Sequence, residues 1–192
     1  MRRMMPAALA LALLLCLAAP AAADNWTNKV GFSFGGGAIT SAAGTGGEFN
    51  IGVTYYLNQW VQFTLSPGYG AYPMYYGYNV GPNSYTDRAS VNYVPIDLAV
   101  IFTLYRWGPL GIYIGPGAGV NFYWWRQKEG TPVEYTTVRQ TLFSAFAEAG
   151  LSYHFGGPFT GTIGVTYTIP DVRDFSFKTG ELTYGIGGGV AF

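Results

Sequence analysis

Cysteine and charge are scarce in this sequence. The single cysteine, Cys16, lies in an apolar segment near the N-terminus, so the rest of the chain has no thiol with which to form a disulfide. Charged residues make up only 10% of the 192 residues, and ten basic side chains are balanced by ten acidic ones. Because there is no basic excess to attract phosphates, we expect no nucleic acid to bind.

Histidine is almost as scarce, which limits the chemistry of the chain. His154 is the only one, so a metal site would have to be built from carboxylates, and these are not spaced as in a calcium-binding loop. Glycine triplets occur at residues 35–37 and 187–189, but no lysine follows them and they fall in predicted strands. We therefore expect neither a metal nor a cofactor.

The N-terminal residues predict an export signal. Arg2 and Arg3 precede an apolar run over residues 7–19, and alanines follow Pro20. The run is shorter than the roughly 20 residues that a membrane-spanning helix needs. We expect cleavage after residue 23, so that residues 1–23 are a signal peptide and residues 24–192 form one domain.

Eight segments of that domain alternate between apolar and polar residues with a period of two, which is the period of a β-strand. In the seventh segment, Phe159, Ile163 and Tyr167 share a face opposite Thr160 and Thr166. Helical spacing fits none of the segments as well. The predicted strands lie near residues 28–39, 47–57, 60–72, 90–104, 111–125, 137–154, 159–170 and 179–192.

The connections between these strands alternate in length. Residues 58–59, 106–110 and 155–158 are tight turns, whereas residues 73–89 and 126–136 are longer, polar and contain tyrosine. Short turns at one end and longer loops at the other are typical of a membrane β-barrel whose loops face outward from the cell. We expect loops 73–89 and 126–136 to be the segments that contact an external ligand.

Charge distribution indicates which face of the sheet looks inward. A soluble eight-stranded barrel would need many ionic residues on its outer face, and these strands have very few. Arg139 alone lies on the apolar face, which we expect to contact lipid. The opposite face should line a narrow, plugged lumen. Because unpaired buried charge is costly, we expect Lys29, and also Arg139 from the other face, to pair with some of the acids. The charged residues on that face are Lys29, Glu48, Asp97, Glu148 and Glu181.

Large aromatic residues fall near both ends of the predicted strands, as expected for two interfacial girdles. Trp60 and Trp107 lie at the tight turns. The residues predicted for the other girdle are Tyr72, Tyr75, Tyr76, Trp124 and Trp125.

The last predicted strand has one apolar face and one face of small or polar residues. Tyr184, Ile186, Val190 and Phe192 share the apolar face. This pattern resembles the C-terminal strand of bacterial outer-membrane β-barrels, which ends on phenylalanine and is read by the barrel-assembly machinery. We therefore expect these four residues to act as an assembly signal.

The whole of residues 24–192 resembles the small outer-membrane β-barrel proteins of the OmpA transmembrane-domain, OmpX and opacity-protein type. The resemblance implies an all-β, eight-stranded antiparallel up-and-down transmembrane barrel in the outer membrane of a Gram-negative-type bacterium. It implies contact with lipopolysaccharide, phospholipid and the barrel-assembly machinery, and we expect a monomer.

An enzymatic function is not expected. Ser152, His154 and Glu148 share a face and are the ingredients of an acyl-transfer triad, but the sixth strand places them at the end opposite the outer leaflet. Two non-enzymatic classes remain. The first is an envelope-structural or adhesin-like role through the external loops, and the alternative is a narrow porin or lateral-gate channel for small, hydrophobic solutes.

Three prolines bear on that alternative. Pro67, Pro95 and Pro116 lie inside the third, fourth and fifth predicted strands. Proline has no N–H to donate, and strand interiors accept it at edges or bulges. We expect either local bulges at these positions or a lateral gap in the wall.

Overall fold

The protein is an eight-stranded antiparallel barrel. The computed structural model describes residues 29–41, 44–80, 82–129, 134–174 and 180–192, so the predicted signal segment 1–23 lies outside the described residues. Each strand pairs with its neighbours in the chain, and β8 pairs with β1 to close the ring. The strands are β1 Lys29–Ser41, β2 Gly44–Tyr56, β3 Val61–Val80, β4 Asn83–Trp107, β5 Leu110–Glu129, β6 Glu134–Gly156, β7 Phe159–Ile169 and β8 Glu181–Ala191.

The prediction of eight strands in an up-and-down barrel is confirmed, and the period of two accounts for its two faces. Large apolar side chains point outward, where Phe34, Ile51, Leu98 and Phe143 are all more than half exposed. Their neighbours along each strand point into the lumen, as Asn50 and Asp97 do. The described ranges contain one short helical element, the 3₁₀ turn Val172–Asp174. No helix in these ranges is long and apolar enough to span a membrane.

Tight turns define one end of the barrel, which we call the turn end. Gly108-Pro109 joins β4 to β5, and Gly157-Pro158 joins β6 to β7. Gly108 and Gly157 have φ angles of 58° and 59°, in the left-handed region that glycine adopts without strain. A bend over residues 57–60 joins β2 to β3, where the Asn58 side chain accepts hydrogen bonds from two backbone N–H groups.

The opposite end, which we call the hairpin end, differs from the prediction. Residues 73–89 and 126–136 are not long loops, because β3 and β4 remain paired up to Val80 and Asn83. Likewise β5 and β6 remain paired up to Glu129 and Glu134. The polar composition suggested loops, but tyrosine and threonine are good strand formers and stabilise the two hairpins through cross-strand pairs.

The wall is consequently tall on one side and short on the other. Strands β3 to β6 have 20 to 25 residues, whereas β1, β2, β7 and β8 have 11 to 13. Pairing of β2 with β3 ends at Ala71, pairing of β4 with β5 ends at Trp124, and pairing of β6 with β7 ends at Ala145. The ends of the tall strands therefore project beyond the ring as two separate two-stranded hairpins.

Candidate functional site

Four carboxylates line the lumen, one from every second strand. They face an internal cavity of about 260 Å³, and we call them the lumen carboxylates: Glu48 on β2, Asp97 on β4, Glu148 on β6 and Glu181 on β8. Lys29 begins β1 and does not line this cavity, and Arg139 faces outward on β6. The structure therefore does not bring the two predicted bases to the lumen carboxylates. Lys29 lies at the end of its strand, and Arg139 lies on the outward-facing side of β6.

Polar side chains hold the two lumen carboxylates nearest the hairpin end. The Tyr93 hydroxyl donates to Glu48 Oε2. The Asn50 side chain lies near Glu48, and Tyr72 lies near Glu181. The ion pairs found in the described part of the chain, Lys128–Asp87 and Arg173–Asp171, lie away from the lumen carboxylates.

The hairpin end of the lumen is closed by packed side chains. Ile39, Val91, Tyr93 and Tyr123 are each no more than 5% exposed and form one buried cluster. The Tyr93 and Tyr123 rings are stacked, with centroids 5.2 Å apart. We call this cluster the outer seal. The residues packed against it are Tyr72, Met74, Trp125 and Leu142.

The outer seal corrects the predicted aromatic girdle. Tyr72 and Trp125 face inward and pack on the seal, and the Tyr76 hydroxyl contacts β5 across the barrel mouth. Only Tyr75 and Trp124 of that predicted set alternate onto the outer face. Trp124 lies beside Tyr69, with ring centroids 6.2 Å apart. Neighbouring aromatics in a strand necessarily point to opposite faces, so sequence position near a rim does not make each of them interfacial.

Arg106 is a lumen residue that sequence reasoning missed. Period-two counting places it on the lipid-facing side of β4, but the register with β5 shifts between Thr103 and Tyr105. The extra residue of this bulge reverses the parity and turns Arg106 into the cavity. Its Nε is buried with no hydrogen-bond partner in the described structure. An arginine at a lipid-facing position destabilises an inserted barrel. An arginine that period-two counting places there could therefore have indicated a bulge.

The turn end of the cavity carries the one histidine. His154 lines the cavity with Asn58 and Gln59, and its Nδ1 lies 3.0 Å from Thr160 Oγ1 on β7. This places the Ser152–His154 pair at the end opposite the hairpins, as predicted. In the described ranges no three His, Cys, Asp or Glu side chains are grouped closely enough to hold a metal ion.

Lys128 joins the two projecting hairpins. Its Nζ lies 2.6 Å from Asp87 Oδ2 on β4, and its backbone N–H donates to the Tyr76 hydroxyl at 2.9 Å. The same Nζ lies 5.8 Å from the Tyr78 ring centroid and 5.9 Å from that of Tyr135. The hydrogen bond between the two side chains lowers the pKa of Asp87 and raises the pKa of Lys128.

Tyrosines surround this joint at the hairpin end. Tyr78 and Tyr85 face each other across the β3–β4 hairpin with stacked rings 5.6 Å apart. Tyr85 and Tyr135 are 46% and 70% exposed. We call this surface the tyrosine platform, defined by Tyr76, Tyr78, Tyr85, Lys128 and Tyr135.

Each of the three prolines interrupts the strand pairing on one side only. At Pro67 the β2–β3 pairing skips two positions between Asn50↔Gly68 and Val53↔Leu65. At Pro95 the β3–β4 pairing skips two positions, and at Pro116 the β4–β5 pairing does the same. The register is identical before and after each interruption, so these are not the expected bulges. The missing N–H removes pairing with the preceding strand and leaves the following strand paired.

Side chains pack close to the three interruptions. A methyl group added to Gly68 would meet Pro95 Cγ at 3.0 Å, and one added to Gly52 would meet Ser66 Oγ at 2.7 Å. At the third interruption Gly115 is covered by the side chain of Ile101. Small residues therefore let neighbouring side chains fill the space left by the lost pairing.

The predicted assembly residues lie on the outer face of the closing strand. Tyr184 and Ile186 are more than half exposed there, and Phe192 is 71% exposed. The Phe192 N–H donates to the Val30 carbonyl at 2.8 Å, and its ring lies 6.3 Å from that of Phe32. Val190 pairs with Phe32 in the β1–β8 register. These contacts show that Phe192 adds to the seam between the first and last strands.

Comparison with known proteins agrees with this geometry. A family model described as the outer membrane protein β-barrel domain matches residues 7–192. The chain is similar to the solved structure of Neisserial surface protein A, with a TM-score of 0.58, 16% identity, and coverage of 85% of this chain and 96% of that one. A comparison with curated proteins finds no significant match.

Two Pseudomonas aeruginosa structures are also similar. The outer membrane protein OprG gives a TM-score of 0.57 at 13% identity, covering 88% of this chain and 99% of that one. The N-terminal β-barrel domain of OprF gives 0.52 at 19% identity, covering 88% and 100%. At such low identity these likenesses establish the fold and no more.

Proposed function

This chain belongs to the outer-membrane protein β-barrel family, and from that premise we propose that it is a non-enzymatic, non-conducting barrel that acts as a surface-binding protein through its joined hairpins. A family barrel of this kind resides in the bacterial outer membrane. The proposal includes export by the signal segment 1–23, insertion as a monomer through the assembly machinery, and contact with lipopolysaccharide and phospholipid. The turn end then faces the periplasm and the hairpin end faces outward.

The outer seal is the observation that carries this proposal. Ile39, Val91, Tyr93 and Tyr123 fill the lumen where an outward-facing pore would have its mouth. Ion passage needs a continuous hydrated path, and buried apolar side chains packed to this degree exclude water. A transport role through the lumen would require this cluster to move.

The tyrosine platform supports binding as the alternative to conduction. Tyrosine provides a large amphipathic contact surface at low conformational-entropy cost, which suits protein or glycan recognition. Because Lys128 links the β3–β4 hairpin to the β5–β6 hairpin, the platform is held in one arrangement before any partner arrives. A surface of this kind loses less entropy on binding than two independent loops.

Planar-bilayer recording tests the absence of conduction. We expect the purified barrel to give no unitary current steps, and a Tyr93→Ala/Tyr123→Ala double variant to give them because the seal has been removed. Regular current steps from the unmodified barrel would overturn the proposal.

Adhesion of bacteria that express the protein tests the binding role. We expect a Tyr85→Ser/Tyr135→Ser variant to lose adhesion to matrix-coated surfaces while inserting normally. Tyr105→Ser is the matched control, since Tyr105 is 61% exposed at the opposite end of the barrel. Equal adhesion by both variants would show that the tyrosine platform does not mediate binding.

The alternative function is passage of small hydrophobic solutes through the wall at Pro67, Pro95 and Pro116. It is favoured by the three interrupted pairings and opposed by their close packing. Uptake of a hydrophobic dye into vesicles containing the barrel separates the two functions. We expect uptake equal to that of empty vesicles, and faster uptake that Gly68→Ala abolishes would favour the channel.

A further inference from the structure

The lumen holds more acidic groups than basic ones. The four lumen carboxylates share their cavity with one cationic side chain, Arg106, which lies near the turn end. The ion pairs found among the described residues, Lys128–Asp87 and Arg173–Asp171, do not involve these acids. A buried acid either takes up a proton or needs a counter-charge, so a bound cation would stabilise the ionised form.

A second observation points to a missing partner in the same cavity. The Tyr123 hydroxyl is buried without a hydrogen-bond partner, although the residue is only 5% exposed and lines the cavity. Glu48, Asp97 and Glu181 line the same cavity as Tyr123. Buried hydroxyls are nearly always satisfied, so an unsatisfied one beside carboxylates marks a place where a donor or acceptor belongs.

The carboxylates form a series and not a compact cluster. Glu48, Asp97, Glu148 and Glu181 come from β2, β4, β6 and β8, which are spaced around the ring. A single metal ion needs several ligands converging on one point, and no such group exists in the described ranges. Carboxylates that are spread over four strands can instead be reached by a slender molecule that carries several positive charges.

Access to this series comes from the turn end. The cavity extends to Asn58, Gln59 and His154 at the turns, whereas the outer seal closes the other end. Its volume of about 260 Å³ is below the roughly 300–1,000 Å³ of pockets for drug-sized ligands, so the occupant must be small and slender.

We propose that the lumen binds a linear organic polyammonium ion, of the diamine or polyamine class, which enters from the periplasmic end and lies along the four lumen carboxylates. Ammonium groups donate hydrogen bonds to Glu48, Asp97 and Glu148, and one reaches the Tyr123 hydroxyl oxygen. The methylene segments lie against the inward faces of the lumen wall. This site is separate from the tyrosine platform, so its failure would leave the proposed function standing.

Isothermal titration calorimetry of the purified barrel in a zwitterionic detergent tests the site. The probes are spermidine, putrescine, the monoamine butylamine and Mg²⁺, each at the same ionic strength. We expect one spermidine per barrel and weaker binding as the number of ammonium groups falls. Equal binding of Mg²⁺ and spermidine, or no spermidine binding, would overturn the proposal.

Isosteric variants show where the ion binds. Glu48→Gln and Asp97→Asn remove one lumen charge each and should weaken spermidine binding about tenfold or more. Glu134→Gln is the matched control, because it removes the same charge at the exposed tip of the β5–β6 hairpin. Heat-dependent gel mobility checks that each variant is folded. If all three folded variants bind spermidine as the unmodified barrel does, the ion does not occupy the lumen.

Discussion

The short strands β7, β8, β1 and β2 and the tall strands β3 to β6 surround the same lumen, and glycines at the β1–β8 seam pack differently from two glycines on the tall side. On the short side, a methyl group added to Gly37 would overlap the Tyr184 carbonyl, and one added to Gly187 would lie 2.9 Å from the Phe34 carbonyl. On the tall side, Gly70 is covered by the Tyr93 ring.

Two uses of glycine follow from this difference. On the short side, glycine lets two backbones approach each other across the β1–β8 seam. On the tall side, it makes room for lumen side chains, and Gly117 under the Phe146 ring is a second case. Backbone cannot move aside without breaking strand pairing, whereas a side chain can change rotamer. Substitutions at Gly37 and Gly187 should therefore be more damaging than substitutions at Gly70 and Gly117.

The largest expected effect is at the seam. Gly37→Ala should lower the free energy of unfolding by about 2–3 kcal/mol, because the added methyl group forces β1 and β8 apart. Gly185 is its registered partner, and a methyl group there lies 3.5 Å from the nearest atom, so Gly185→Ala is the control and should be close to neutral. Urea unfolding in vesicles measures both, and equal losses would show that backbone approach is not what Gly37 provides.

A smaller effect is expected from Gly70→Ala on the tall side. The methyl group displaces the Tyr93 ring from its place in the outer seal, at about 1–2 kcal/mol. The same change should produce current steps in planar bilayers, which Gly37→Ala should not. Gly77→Ala serves as control, since its nearest neighbour is 3.8 Å away. If the Gly70→Ala barrel gives no current steps, Tyr93 is not the residue that keeps the outer seal closed.

Phe192→Ala should cost about 1 kcal/mol, since it removes the ring contact with Phe32 while keeping the backbone hydrogen bond to Val30. If the closing strand is also the assembly signal, outer-membrane yield should fall by more than this loss of stability explains. Comparing yield in cells with unfolding of the refolded variant separates the two effects. Unchanged outer-membrane yield would show that Phe192 is not part of the assembly signal.

The smallest expected effect concerns the joint between the hairpins. Because the Lys128 hydrogen bond lowers the pKa of Asp87, the ion pair is fully formed above the ordinary aspartate pKa of about 4 and is lost as the pH falls through the lower folded value. Spin labels on the two hairpin tips should report a wider distance distribution at acidic pH. Lys128→Gln should show that wide distribution at neutral pH, and a narrow one there would mean that other contacts hold the hairpins.

Alternation in the sequence was sufficient to predict the strands and the lumen carboxylates, because a period of two determines which face each side chain takes. It failed where one extra residue changes the parity, as between Thr103 and Tyr105, and so it missed Arg106. It also failed at residues 73–89, where polar composition outweighed the strand propensity of tyrosine. The outer seal joins Ile39, Val91 and Tyr123 from three strands, and no local pattern reports a contact of that range.

The one-sided prolines have a mechanical consequence. Each leaves its strand attached on one edge and loosened on the other, and the three loosened edges lie in the consecutive seams β2–β3, β3–β4 and β4–β5. In the described residues, the other five seams show no interruption of this kind beside a proline. We expect this sector to be the compliant part of an otherwise stiff tube, so that lateral pressure from a thicker or more ordered bilayer flattens the cross-section there first. Amide hydrogen exchange would show this sector opening before the rest of the ring.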